Sequence, residues 1–192
     1  MIFTPINGEK ISRSFYSGIK EPEIEKLYYQ YFKQVNPCIT CNKEKLGIGT
    51  TDGIIRFYDE EGKFLFWAQQ ETKRDIGLDS VWFGRSILQS VMYLGNVFYD
   101  TNILGVDNFK GIFLDSARYF CFISKEELIP IMEKFEPLWN KYYRVKPSAA
   151  YHVPELEDFI PTLLSELKIL KFSLNIKFRL DQIIKDLYEN NI

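Results

Sequence analysis

The sequence predicts an α/β fold, a mixed central sheet flanked by helices, with a helical extension at the C-terminal end. Three observations carry this. Apolar positions fall into segments in the order helix, strand pair, helix, strand pair, helix, which places a sheet between helical layers. With 192 residues and 46% hydrophobic content, the chain can bury one full core. From Pro154 onward the pattern turns wholly helical. Residues 1–150 are thus read as the main α/β domain and 151–192 as a helical extension or linker.

The first helix is EPEIEKLYYQYFKQV, with Pro22 in its first turn, acidic residues early, and Ile24, Leu27, Tyr28, Tyr31, Phe32 and Val35 at helical spacing. It ends near Asn36-Pro37, and a loop leads to a hairpin. The hairpin runs through Ile54, Ile55, Phe57 and Tyr58, turns at Glu60-Glu61-Gly62, and returns through Phe64, Leu65, Phe66 and Trp67. Asp79-Ser80 suits the cap of a second helix, which carries Val81, Ile87, Leu88, Val91, Met92 and Leu94 to a stop at Gly95-Asn96. After a long connection, KGIFLDS and RYFCFIS read as two short strands. Ser124 with Glu127 forms a capping box for a helix through Trp139. The extension is expected to break near Pro161. Its Leu163, Leu164, Leu167, Leu170, Leu174, Ile183, Ile184 and Leu187 must be buried somewhere. That surface either packs on the core or across a dimer or, the preferred arrangement, is left partly exposed as a docking face, with Lys168, Lys171, Lys177 and Arg179 giving a local positive face.

The hairpin carries the chemistry. If it is centred between Glu61 and Gly62, paired positions sum to a constant and Asp52 falls opposite Glu71. Directly opposed residues have Cβ atoms about 5 Å apart, near enough for two carboxylates to share one cation. The strand period of two puts Lys73 on the same face as Glu71, with Thr72 on the other. A one-residue slip would turn one carboxylate away, and Gly62 also suits a three-residue loop with a bulge, so the turn leaves both registers open. The same residues also suit plainer roles: Glu71 and Lys73 as a charge pair at a strand end, Asp52 as a turn residue before glycine. Gln89 and Tyr93, four apart on a helix, share a face with Arg85 and would also make a polar patch beside a buried ring.

Asp52, Glu71-Thr72-Lys73 and the following Gln89-Ser90-Val91-Met92-Tyr93 together resemble the PD-(D/E)xK nuclease superfamily, the last segment resembling the Gln-xxx-Tyr helix of one of its branches. The likeness spans roughly residues 20 to 123, with Thr51 standing where the name-giving proline would be. The run ILQSVMYLGN is similar to the helix after the active-site hairpin in the nuclease domains that precede bacterial DNA methyltransferases in fused restriction-modification enzymes. The resemblance implies a restriction-endonuclease-like core that hydrolyses DNA phosphodiesters with Mg²⁺, Mn²⁺ being a possible substitute. It implies that Asp52, Glu71 and the Thr72 carbonyl ligate the metal, joined by a glutamate near the start of the first helix, Glu21 ahead of Glu25. An acidic helix start explains either glutamate equally well. Lys73 would orient the attacking hydroxide, Gln89 and Tyr93 would position the DNA backbone, and Arg74 and Arg85 would meet phosphates. The implied partners are double-stranded DNA and a methyltransferase domain or subunit; separately, the apolar tail after Pro154 could pair with a second copy in a homodimer.

Composition excludes other classes. A formal charge of -2 gives no global attraction to polyanions, so any nucleic-acid surface must be local. Three cysteines cannot all pair, which speaks against a disulfide framework and for a reducing, cytoplasmic setting. Cys38-Ile39-Thr40-Cys41 has the spacing of half a zinc site, but the chain has no second such pair and only one histidine, His152. No apolar run is long enough for a membrane span, and no signal-peptide pattern opens the chain. Against the nuclease stand a catalytically inactive DNA-binding domain of the same fold and a structural interaction domain.

Overall fold

The computed structural model describes residues 20–73, 81–100, 105–116, 120–167 and 180–189. It begins with helix α1 (Glu21–Val35), followed by β1 (Thr40–Asn42), a small hairpin of β2 (Lys45–Leu46) and β3 (Gly49–Thr50), then β4 (Gly53–Tyr58) and β5 (Phe64–Lys73). Helix α2 (Val81–Phe98), β6 (Phe109–Ser116), β7 (Phe120–Ser124) and α3 (Lys125–Tyr142) follow. A 3-10 helix (Pro147–His152) and helices α4 (Pro154–Glu157), α5 (Ile160–Glu166) and α6 (Leu180–Glu189) close the described chain.

Five strands form one mixed sheet in the order β1-β4-β5-β6-β7. Only the β5–β6 pair is parallel. The expected α/β architecture is therefore present. The stretch between α1 and the hairpin is more than a loop, since Thr40–Asn42 adds an edge strand to β4 and β2–β3 forms its own ladder. Helix α2 runs past the expected stop, because Gly95 lets the Trp139 indole lie where a side chain would otherwise stand.

The β4–β5 register answers the question left open by the turn. From Gly53↔Gln70 to Phe57↔Phe66 the pairs keep one constant sum, and the shift to Tyr58↔Phe64 leaves Leu65 as an extra residue. The Gly62 N–H donates to the Asp59 carbonyl at 3.1 Å, and Gly62 adopts φ +80°, the left-handed value glycine accepts without strain. The bulge sits beside the turn and is absorbed there, so the far end of the hairpin keeps the register that brings Asp52 to Glu71.

Alternation along the strands divides two cores. Ile54, Trp67, Ile112, Leu114, Cys121 and Ile123 face α2 and α3, while Ile55, Phe57, Phe66, Ala68 and Phe113 face Ile24, Tyr28 and Phe32 of α1. The C-terminal stretch belongs to both. Leu156, Ile160, Leu163 and Leu167 complete the first core, and Ile184, with Leu187 and Tyr188, completes the second. The extension breaks near Pro161 as expected: α4 ends at Glu157, α5 starts at Ile160, and Pro161 sits in its first turn. The expected docking face is not seen among the described residues: Leu163, Leu167 and Ile184 are buried, and Leu164 and Leu187 partly so. Leu170, Leu174, Lys168, Lys171, Lys177 and Arg179, like the Asp79-Ser80 cap, lie outside the described residues, as does the side chain of Ile183. Among the described residues no helix is long and apolar enough to cross a membrane.

Candidate active site

Strand β4 starts at Gly53, so its ladder with β5 stops at Gln70, while β5 continues to Lys73 beside β6 alone. The last residues of β5 thus have one open side, and Asp52 fills it. Its Oδ2 accepts the Thr72 N–H at 2.8 Å, capping a donor that no strand reaches. Lys73 Nζ donates to Glu71 Oε1 and, at 3.1 Å, to the Thr72 carbonyl, and it lies 3.8 Å from Asp52 Oδ2. Asp52, Glu71 and Lys73 therefore meet at one point, together with the Thr72 carbonyl.

Glu71 is fully buried and its Oε2 has no hydrogen-bond partner. Burial, reinforced by the Asp52 charge and only partly offset by Lys73, pushes its carboxyl up to about 8. Burial alone would lower the Lys73 amine, but the Glu71 and Asp52 carboxylates outweigh it and raise it. A lone buried carboxylate is costly, and here Lys73 supplies the cation beside it.

Glu21 is exposed in the first turn of α1, close enough for its charge to be felt by Glu71 and Lys73. Glu25 is turned elsewhere, paired with Lys43 at 2.7 Å. Among the described residues no group of three His, Cys, Asp or Glu side chains is close enough to hold a metal. A cation here would depend on two carboxylates, one carbonyl and water. The donors present fit a hard ion: all are oxygens, one of them buried and unpartnered, and three already gather round the Lys73 ammonium.

Gln89 and Tyr93 do lie beside this point, but Tyr93 works from within. It is buried, hydrogen-bonded by Gln89, and its hydroxyl donates to the Thr50 carbonyl at 2.7 Å. Burial and the Glu71 charge push the phenol up to about 12, so it stays a neutral donor. Gly49 matters here, since a Cβ on it would stand 2.6 Å from the Tyr93 ring. The Tyr93–Thr50 bond fixes the chain two residues before Asp52. Thr51 N–H to the Glu44 carbonyl at 2.9 Å closes the base of the β2–β3 excursion, and Arg56 grips the Glu44 carboxylate through both its terminal nitrogens.

Arg85 is not a bare phosphate contact: it pairs with Glu157 at 2.6 Å and its guanidinium lies 4.7 Å from the centre of the Tyr151 ring. Arg74 lies outside the described residues. All three cysteines are free thiols, and Cys41 donates to Gln70 Oε1 at 3.0 Å. Sequence reasoning missed Thr50, Gly49 and Glu44 as supports of Asp52. Two glycines around Ile48 signalled a tight turn there, but nothing local signalled its contact with α2. Compared with known proteins, the chain matches no family model, no curated protein and no solved structure. The likeness to the nuclease superfamily therefore rests on these residues and their arrangement.

Proposed function

We propose that the chain is a metal-dependent endonuclease that hydrolyses DNA phosphodiesters, in the manner of the cleavage component of a bacterial restriction-modification system. The observation that carries this reading is the convergence of Asp52, Glu71, the Thr72 carbonyl and Lys73, with one Glu71 oxygen buried and unpartnered. The order helix, antiparallel strands, helix, parallel strand supports a restriction-endonuclease-like core. Asp52, Glu71 and the Thr72 carbonyl would hold Mg²⁺. When bound, the ion supplies positive charge that polarises the phosphate and makes a neighbouring water more acidic.

The protein's own groups do the rest. The Thr72 N–H holds Asp52 in place, and Tyr93 and Gln89 hold the chain leading to it. The Lys73 ammonium, held by Glu71, Asp52 and the Thr72 carbonyl, would orient the attacking water and offset charge building on phosphorus. Burial of Glu71 keeps that charge pairing strong by excluding solvent. In a restriction setting the partner would be a methyltransferase domain or subunit.

The test is incubation with methylated and unmethylated plasmid plus Mg²⁺. The expected result is discrete fragments from the unmethylated plasmid, none from Asp52→Ala or Lys73→Ala, and none in chelator. Intact plasmid under every condition, or cutting retained by either variant, overturns the proposal.

A further inference from the structure

One wall beside the candidate site has no task in the scheme above. From Pro137 to Pro154 the chain holds no Asp or Glu, yet it carries Lys141, Arg144 and Lys146. The 3-10 helix Pro147–His152 brings this segment to the site. Pro147 Cδ lies 3.0 Å from where a Cβ on Gly49 would stand, beside the Tyr93 ring. Thr50, the next residue, takes the Tyr93 hydroxyl bond, and Asp52 follows two positions later.

The cations here divide into spent and available. Lys141 is taken by Glu155 at 2.6 Å, and Arg85 by Glu157. Arg144 and Lys146 are exposed and, among the described residues, pair with no carboxylate. Arg144 Nε donates to the Tyr143 hydroxyl at 2.9 Å, and its guanidinium lies 5.3 Å from the centre of that ring. Tyr143 is itself 43% exposed. An arginine braced on an exposed aromatic ring presents its remaining donors in a restricted range of poses, which suits a phosphate. Lys45, exposed and likewise unpaired, stands in register with Thr50 on the neighbouring hairpin.

We propose that Lys45, Arg144 and Lys146 form a phosphate-contacting wall that seats duplex DNA over Asp52, Glu71 and Lys73. The inference rests on the nuclease reading for the identity of the polymer. It explains how a chain of net charge -2 holds a polyanion beside two carboxylates: the attraction is local and lies along one side.

The experiment measures binding of a short DNA duplex by fluorescence anisotropy, with Ca²⁺ replacing Mg²⁺ to suppress cutting, between roughly 50 and 200 mM salt. The wild type is compared with Lys45→Ala, with Arg144→Ala/Lys146→Ala, with the charge-reversed Arg144→Glu/Lys146→Glu, and with Lys185→Ala on α6 across the sheet. The double alanine variant is expected to lose about two units of the log-log salt slope and about tenfold in affinity near 0.1 M salt. Lys45→Ala is expected to lose about one unit, Lys185→Ala none, and charge reversal more than alanine. Unchanged Tm values show that the variants fold. A salt slope unaltered in both double variants overturns the wall even if the wild type binds and cuts, and leaves the nuclease standing. Binding with the expected slope losses but no cutting in Mg²⁺ supports the wall and removes the nuclease. No DNA binding by the wild type overturns both, and a duplex RNA bound with equal affinity overturns the assignment to DNA.

Discussion

Strand β5 is two different structures end to end. Its first half places Phe66, Trp67 and Ala68 in the two cores, Phe66 stacked on Phe57 at 4.4 Å and Trp67 against Phe109 at 4.7 Å. The one polar atom there, Trp67 Nε1, donates to the Gly105 carbonyl at 3.1 Å. Its second half, Gln69 to Thr72, is no more than 1% exposed, yet both amide atoms of Gln69, Glu71 Oε2 and Thr72 Oγ1 have no partner. Equal burial hides opposite energetics. Apolar burial of a large side chain contributes about 1.5–3 kcal/mol, whereas each unsatisfied buried polar group costs about 1–3 kcal/mol. That cost falls at one end of the strand only, the end where the proposed site lies.

The comparison breaks most visibly at the apolar end. Phe66→Ala should lower unfolding stability by about 3–5 kcal/mol in denaturant titration, with the metal response of the surviving folded protein intact. A loss under about 1 kcal/mol would mean that the first half of β5 is not what holds the sheet together. At the polar end the effects should reverse. Lys73→Ala is expected to cut plasmid cleavage by about 10²–10³-fold or more while costing only about 1–3 kcal/mol of stability, since it leaves Glu71 Oε1 without its partner. A large stability loss without a larger activity loss would place Lys73 with the structural half.

Glu71 sharpens the contrast through pH. Its pKa in the fold, about 8, lies above the ordinary carboxyl value. The folded state therefore keeps this proton longer than the unfolded chain does. Without metal, the contribution of Glu71 is complete below the ordinary value and is lost as pH rises toward 8, at roughly 1 kcal/mol per pH unit at its steepest. Glu71→Gln should flatten that slope, and Mg²⁺ should raise the wild-type Tm more at the alkaline end of the range than at the acid end. An Mg²⁺ shift independent of pH, read by differential scanning fluorimetry, would count against Glu71 as a ligand. Smallest is Tyr93→Phe, which deletes one hydroxyl. It should cost about 1 kcal/mol of stability and reduce cleavage severalfold through looser placement of Asp52, with Mg²⁺ affinity falling in step. Wild-type cleavage in this variant would reduce Tyr93 to a core residue.

What was legible in the sequence follows the same division. The hairpin, both flanking helices and the opposition of Asp52 to Glu71 came from period and turn chemistry, which are local. The slip that Gly62 allowed was decided by where the bulge fell, at Leu65, beside the stacked Phe57–Phe66 pair. Edge strand β1 was missed because Thr40-Cys41-Asn42 is too short to show any period. The parallel pairing of β5 with β6 left no local trace, since its partners are brought together across α2. The break between α4 and α5 was legible from Pro161, because proline suits the first turn of a helix and not its interior. Arg85 was read as free for DNA because its partner, Glu157, lies 72 positions away.

Tyr188 carries a consequence in time. Its ring meets Phe57 and Phe66, and its hydroxyl donates to the Tyr58 carbonyl across 130 positions of sequence. At translation rates of roughly 5–20 residues per second, on the order of ten seconds pass between synthesis of the hairpin and arrival of the residue that covers this face. During that interval α1, already synthesised, is the only described helix available to pack on this aromatic face, and the cover from α6 comes last.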